Sequence, residues 1–373
     1  MIYRMYGQTG VEVSALGFGA MRFETPSDID AMAEVVLHAF ERGVTYFDTA
    51  PGYCDDKSET IVGAAVQEMK KTGKPFRVST KTMAGEPKAI REMCERSLER
   101  LHVDAIDFYH VWCLVQPEDL GKRKALGALE EFRRLKEEGL IRHVSVSTHL
   151  ELDKIAPMLD EGEGLFEGML LGLSAANCDL RYPGVQEAAK RGMGVVTMNT
   201  LGGGLIPNHP DHFAYLLSEG DRSVVDAAIR FNLSLPEISV ALVGFRNKAD
   251  VDAAVSAVEH FEPLAAEEIA ALKAKAAAVG KDFCTQCGYC RDCPVGVPVV
   301  RLMDAYNRRL MDGPKAGLDH MKWHWWTPDI AKLLEPCTEC RQCEEACTQH
   351  LPILERFEQL RKDYLASTGQ EGT

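Results

Sequence analysis

Along residues 12–260, short runs of apolar and β-branched residues alternate with longer stretches whose apolar positions recur at helical spacing. The short runs predict strands at 13–17, 44–47, 77–81, 105–112, 143–147, 168–173, 194–199 and 239–243. The stretches between them predict amphipathic helices, among them 28–42, 59–71, 87–100, 124–138 and 221–232. Eight strand–helix units in roughly 250 residues is the count and size of a (β/α)8 barrel. The Gly202–Gly204 run follows a strand but lacks the G-x-G-x-x-G spacing, so a Rossmann arrangement is excluded. A junction at Pro263 and an Ala/Lys-rich helix over 265–278 lead out of the barrel. The pattern therefore divides the chain into a barrel over 1–279 and a second, small domain over 280–373.

Composition changes this picture little. With 373 residues, 46% of them hydrophobic and 26% charged, the chain is a globular protein too long for one core, and disorder is excluded. A formal net charge of -14 argues against nucleic acid as a partner, because a phosphate backbone calls for a basic footprint. The N-terminal MIYRMYGQTG has no apolar export core and no run is long enough to span a bilayer, so a cytoplasmic protein without a membrane partner is expected. Twelve cysteines in such a chain point to metal or redox chemistry rather than disulfides.

Eight of those cysteines form two runs, Cys284-x-x-Cys287-x-x-Cys290-x-x-Cys293-Pro294 and Cys337-x-x-Cys340-x-x-Cys343-x-x-x-Cys347. Three thiolates spaced by two residues wrap three corners of an iron–sulfur cube, and in two-cluster ferredoxins the fourth reaches the other cube. That rule gives one 4Fe–4S cluster to Cys284, Cys287, Cys290 and Cys347, and a second to Cys337, Cys340, Cys343 and Cys293. Paired four-cysteine zinc sites are the alternative, but those separate their C-x2-C pairs by a longer loop. The fold class expected is thus α/β: a TIM barrel with a small C-terminal ferredoxin-like two-cluster domain.

Barrel chemistry sits at the C-terminal ends of the strands. There the second strand leads into Phe47-Asp48-Thr49-Ala50-Pro51-Gly52-Tyr53, with Ser58-Glu59 opening the next helix, and the third carries Ser79-Thr80-Lys81-Thr82. A buried carboxylate and a lysine beside a tyrosine lower the phenol's pKa from about 10 and make it a usable general acid. A structural ion pair between Asp48 and Lys81 is the plainer alternative.

The opening run from Tyr3 to Gly19 and the Phe47–Tyr53 segment with Ser58-Glu59 resemble the aldo-keto reductase family over the whole barrel. With the C-terminal cysteines, the chain is similar to the branch of that family carrying a ferredoxin-like extension. The resemblance implies that Asp48, Tyr53 and Lys81 are three of four catalytic residues: Tyr53 donates the proton, Lys81 tunes it, and Asp48 holds the lysine. The family's fourth residue is a histidine ending the fourth strand, where this chain reads Asp107-Phe108-Tyr109-His110-Val111-Trp112 and so places Trp112. His110 shares its face but lies about 7 Å deeper. Either Trp112, whose N–H donates a hydrogen bond but shuttles no proton, shapes a pocket for a flat substrate, or a bulge brings His110 into play.

The resemblance also implies NADP or NAD as a cofactor, with Ser147, Asn177, Gly244, Arg246 and Lys248 as the candidate contacts. Arg246 and Lys248 are the groups for a 2′-phosphate, but Asp250 stands where the family has a cation, Ala253 and Ala254 replace Glu-Asn, and Leu173 replaces a glutamine. Cys54, Cys113, Cys178 and His149 follow strands and are expected around the same barrel face, whether as reactive groups or as small buried residues. The Trp323, Trp325 and Trp326 cluster is expected to pack the small domain against the barrel.

These features define an iron–sulfur oxidoreductase acting on a carbonyl-bearing or unsaturated small molecule, with electrons from NAD(P)H or from the clusters. A redox protein is a further expected partner. Joining hydride to single-electron chemistry ordinarily requires a flavin, which stays open although no flavin signature is visible. The alternatives are an electron-transfer or scaffold protein with a silent barrel, and clusters that are purely structural.

Overall fold

The structure, a computed structural model, describes residues 1–115, 117–150, 154–175, 178–218, 220–279, 283–284, 288–323 and 328–369. It consists of two compact units, Met1–Ala278 and Val279–Thr373.

The first unit opens with an antiparallel hairpin, β1 (Tyr3–Met5) and β2 (Glu12–Ser14). Eight parallel strands then close into a barrel: β3 (Leu16–Gly19), β4 (Tyr46–Asp48), β5 (Arg77–Thr82), β6 (Ile106–Leu114), β7 (Ile141–Thr148), β8 (Gly168–Gly172), β9 (Gly194–Met198) and β10 (Val240–Gly244), with β10 pairing back onto β3. The first expected strand, 13–17, proves to be two: Val13 and Ser14 belong to the hairpin, and the barrel begins at Leu16. One apolar run served two partners, which periodicity alone does not reveal.

The hairpin closes the floor of the barrel. Tyr6 follows β1, is fully buried, and lies with its ring centroid 4.0 Å from that of Phe108. It fits because β8 and β9 present glycine there: a Cβ at Gly168 would lie 2.1 Å from the Tyr6 hydroxyl, and one at Gly194 2.2 Å from its ring. Above Tyr6, an apolar layer of Tyr46, Phe108, Leu170, Val196 and Val240 fills the interior. The outward faces of the strands, with Leu16, Phe18, Phe47 and Val78, pack on Val36, Phe40, Val62 and Val66 of the surrounding helices.

Side-chain caps start several of those helices. Asp28 accepts the Ala31 N–H at 3.0 Å, Ser223 the Asp226 N–H at 3.1 Å, and Asn247 the Asp250 N–H at 3.1 Å. The helix expected over 124–138 is broken into Asp119–Ala125 and Ala128–Glu137, because Gly127 takes a left-handed φ of 92° between them.

The second unit is helical among its described residues, with helices Val299–Asp312, Pro314–Trp323, Ile330–Leu334, Gln342–Glu345 and Ile353–Thr368. Leu302, Met303, Met321, Ile330, Phe357 and Leu360 build its core, and the cysteine runs pack onto it. Trp325 and Trp326 lie outside the described residues. Among the described residues, no helix is long and apolar enough to cross a membrane.

Candidate functional site

The barrel interior turns from apolar to polar toward the C-terminal ends of the strands. Lys81 on β5 is 1% exposed, and its Nζ donates to Asp48 Oδ1 on β4 at 2.5 Å. Asp48, 4% exposed, accepts a second bond from Ser79 Oγ at 2.8 Å. Ser79 Oγ also lies 2.9 Å from His110 Nε2. Inward-facing positions on three neighbouring strands thus form one chain: Lys81, Asp48, Ser79, His110. His110 is fully buried, and desolvation first, then the nearby Lys81 charge, pushes its pKa well below 6.5, leaving the imidazole neutral. Ser79 was the link that sequence reading missed, although its place two residues before Lys81 puts it on the same face.

Tyr53 stands over this chain, with Lys81 Nζ 5.3 Å from its ring centroid. The loop that carries it is strained. Cys54, Asp55 and Asp56 have φ values of 54°, 55° and 63°, three consecutive non-glycine residues in the left-handed region, each at a cost of about 1–2 kcal/mol. Arg100, from helix Pro87–Leu101, holds that turn with two bonds to Asp56, at 2.9 and 2.8 Å, and keeps the Asp56 carboxyl down at about 2. Asp56 in turn accepts the Gly52 N–H at 2.9 Å. Beneath the loop, buried Glu59 accepts from Thr80 Oγ1 at 2.8 Å, and Ser58 Oγ donates to the Ala20 carbonyl at 2.5 Å. The Arg100–Asp56 clamp is invisible in the sequence because its two residues belong to different strand–helix units.

Trp112 meets Tyr53 edge-on, with centroids 5.7 Å apart and planes at 86°. Its indole Nε1 is buried without a hydrogen-bond partner among the described residues. The β6–β7 register shifts between Val111 and Leu114, and Cys113 has a φ of 61°, so β6 does carry a bulge. The bulge lies beyond His110, which stays in regular register with Lys81 on β5 and Ser145 on β7. His110 therefore meets the site from below, through Ser79 rather than through the bulge.

The cofactor candidates divide. Ser147 on β7 is buried, and its Oγ has no partner among the described residues. Gly244 ends β10 with its backbone exposed, and the Arg22 side chain lies over it, 2.8 Å from where a Cβ would stand. The two cations after it are engaged: Arg246 makes a two-point pair with Asp250 at 2.8 and 2.9 Å, and Lys248 Nζ meets Glu34 at 2.9 Å. Leu173 is buried with its N–H bonded to the Met198 carbonyl at 2.9 Å, and Asn177 lies outside the described residues. The remaining thiols have separate surroundings: Cys54 Sγ lies 3.8 Å from the Ala20 carbonyl, Cys113 near the Arg123 charge, and Cys178 near Tyr182. His149 is buried, its carbonyl accepting from buried Arg181.

In the second unit, Cys290, Cys293, Cys337, Cys340 and Cys343 line one open cavity of about 170 Å³. Cys290 is buried at that lining, and Cys284 and Cys347 are buried in the core without lining the cavity. Asn307 fixes the Cys284 backbone at both ends, accepting its N–H at 2.8 Å and donating to its carbonyl at 2.7 Å. Cys347 Sγ accepts the Leu351 N–H at 3.4 Å. Glu339 and Arg341 take left-handed φ values of 53° and 61°, which curl the chain around Cys340. Thiols spread around a cavity, rather than drawn onto one point, suit a polynuclear iron–sulfur group. Cys287 lies outside the described residues.

The 4Fe-4S dicluster domain model matches residues 283–360, and the aldo/keto reductase family model matches 15–277. An L-galactose dehydrogenase of Arabidopsis thaliana is 26% identical over 295 residues, 71% of this chain and 90% of that protein. A probable aldo-keto reductase 1 of Glycine max is 29% identical over 156 residues, 38% of this chain and 43% of that one. Among solved structures, the holo form of an aldo-keto reductase from Bacillus halodurans superposes with a TM-score of 0.64 at 23% identity, covering 74% of this chain and 96% of that chain. An aldo/keto reductase from Klebsiella pneumoniae, solved with NADP and acetate, gives a TM-score of 0.59 at 20% identity, covering 73% and 94%. The barrel, the match over residues 15–277 and the cysteine-bearing match that follows it together show that this chain belongs to the aldo/keto reductase family of oxidoreductases and carries a 4Fe-4S domain at its C-terminal end.

Proposed function

We propose that this protein reduces a carbonyl-bearing or unsaturated small molecule at the barrel mouth, or runs the reverse oxidation, with Tyr53 as the proton donor. The observation that carries this reading is the buried Lys81–Asp48 pair directly beneath the Tyr53 ring. A fixed ammonium next to a phenol favours the phenolate, which makes the proton available near neutral pH. Asp48 holds Lys81 in place, and Ser79 ties Asp48 to a neutral His110. Trp112 walls one side, and its unpartnered N–H suits a substrate oxygen.

A nicotinamide held across the mouth would supply hydride to the substrate carbon. Tyr53 then passes its proton to the oxygen, so that C=O becomes CH–OH. The unpartnered Ser147 hydroxyl fits a carboxamide, and the exposed Gly244 backbone fits a phosphate-bearing chain. The NADP-bound Klebsiella relative and the relative named as a dehydrogenase support this route. A 2′-phosphate fits less well, because Arg246 and Lys248 already face Asp250 and Glu34. Those pairs favour a second reading, in which the barrel has given up the nicotinamide and the iron–sulfur groups feed it one electron at a time. For those groups, Cys293, Cys337, Cys340 and Cys343 form one donor set, and Cys284, Cys287, Cys290 and Cys347 the other.

Calorimetry with NADH and NADPH on anaerobically prepared, iron-loaded protein separates the routes. Binding of either cofactor supports the hydride route, and binding of neither leaves the cluster-fed one. Tyr53→Phe is expected to lower turnover by about 10²–10⁴ with the iron content unchanged. Unaltered turnover in that variant would make the barrel a silent scaffold.

A further inference from the structure

The described cysteines of the C-terminal unit divide into a closed set and an open one. Cys284, Cys290 and Cys347 are buried, whereas Cys340 is exposed and Cys293, Cys337 and Cys343 are half-buried around the cavity mouth. Cys290 belongs to the closed set yet lines the same cavity, so the two sets adjoin. The segments framing the mouth, 291–295 and 335–346, carry five carboxylates (Asp292, Glu335, Glu339, Glu344 and Glu345) against two guanidiniums, Arg291 and Arg341. Both guanidiniums have local carboxylates, Arg291 with Asp292 at 3.8 Å and Arg341 with Glu344 at 3.4 Å. Val295 is exposed and gives the rim an apolar point.

We propose that this mouth is the electron port of the protein and that it docks a one-electron carrier protein with a basic rim. A rim of net negative charge around a small opening suits a transient redox interface, where charge steers encounter and the contact area stays small. Of the closed set's described thiols, Cys284 and Cys347 are buried and do not line the mouth, and only Cys290 reaches it. An electron that enters at the open set has the closed set next to it, across Cys290. With an iron–sulfur group held by the open set, each encounter would move one electron, the carrier being oxidised by one and that group reduced by one, or the reverse. The proposal rests on the reading that these thiols hold iron–sulfur groups.

The probe is cytochrome c, a basic one-electron haem protein, added to the full-length, iron-loaded chain. Redox-inert zinc-substituted cytochrome c should bind in calorimetry, and binding should weaken as salt rises. Glu339→Gln/Glu345→Gln should weaken it about fivefold, with iron content and electron paramagnetic resonance spectra unchanged. The rate at which dithionite-reduced protein reduces native cytochrome c should fall in parallel, whereas an acidic plant-type ferredoxin should react slowly and faster at high salt. Binding that ignores both salt and the double substitution would overturn the port. Iron-free protein after reconstitution would instead overturn the cluster reading beneath it, and the port with it.

Discussion

Asp48, Ser79, Lys81 and His110 come from three different strands and hold one another through an ion pair and two hydrogen bonds, buried above an apolar floor. Cys337, Cys340 and Cys343 come from one short segment, a loop and the first turn of the helix that follows it, and line an open cavity. The barrel site is complete in its side chains, because carboxylate, ammonium and hydroxyl satisfy each other once buried. The thiols make no such network, and their geometry is finished by what they bind. A site of the first kind is fixed by the barrel's packing, and one of the second by the cofactor.

The strongest way to break that comparison is to strip the iron. Chelation under anaerobic reduction should remove the cooperative unfolding of the C-terminal unit and leave barrel unfolding where it was, because bound metal contributes directly to the folding of a small domain. Two calorimetric transitions that both survive chelation would show that the helical core alone holds the unit. Next in size, Asp48→Asn leaves the Lys81 charge buried and should cost about 3–5 kcal/mol in urea unfolding. Asp48→Asn with Lys81→Met removes both charges and should recover part of that loss. If the double variant is no more stable than the single one, the pair does not hold the site in the manner described.

A smaller effect is expected at the loop. Arg100→Met should lower kcat about tenfold through a misplaced Tyr53, while changing stability by only about 1 kcal/mol, since the Arg100–Asp56 pair is partly exposed. Arg100→Lys should not restore the rate, because an ammonium cannot make the two-point contact. Equal kcat in all three proteins would remove Arg100 from the positioning of Tyr53.

The smallest is a pH effect. His110 has its pKa lowered by burial, so above about pH 6.5 it is neutral in both the folded and unfolded chain. Below that, the unfolded chain takes up a proton that the folded one refuses, and stability declines as pH falls. Tm should therefore drop less for His110→Gln than for the natural protein between about pH 7 and pH 5. Parallel curves would mean that His110 titrates alike in both states.

The residues differ in how far they could be read in advance. The barrel strands were legible as short runs rich in apolar and β-branched residues and largely buried, although β5, with Ser79, Thr80 and Lys81, is mostly polar and the first expected strand met β3 only at 16–17. The hairpin was not, because Val13 and Leu16 lie in one unbroken apolar pattern. The alternation that put His110 and Trp112 on one face was readable, but the bulge at Cys113 was not, since one residue in a left-handed conformation leaves no periodic trace.

By itself, the sequence determined the order of strands and helices, the family, and the two cysteine runs, because period, motif and ligand spacing are local properties of the chain. Tertiary structure alone decided that Ser79 links Asp48 to His110, that Arg100 holds the turn beside Tyr53, that Arg246 turns to Asp250, and that Cys340 stands open while Cys347 is enclosed. Those are contacts and exposures, and they exist only once barrel closure and helix packing have brought distant residues together and set which of them water can reach.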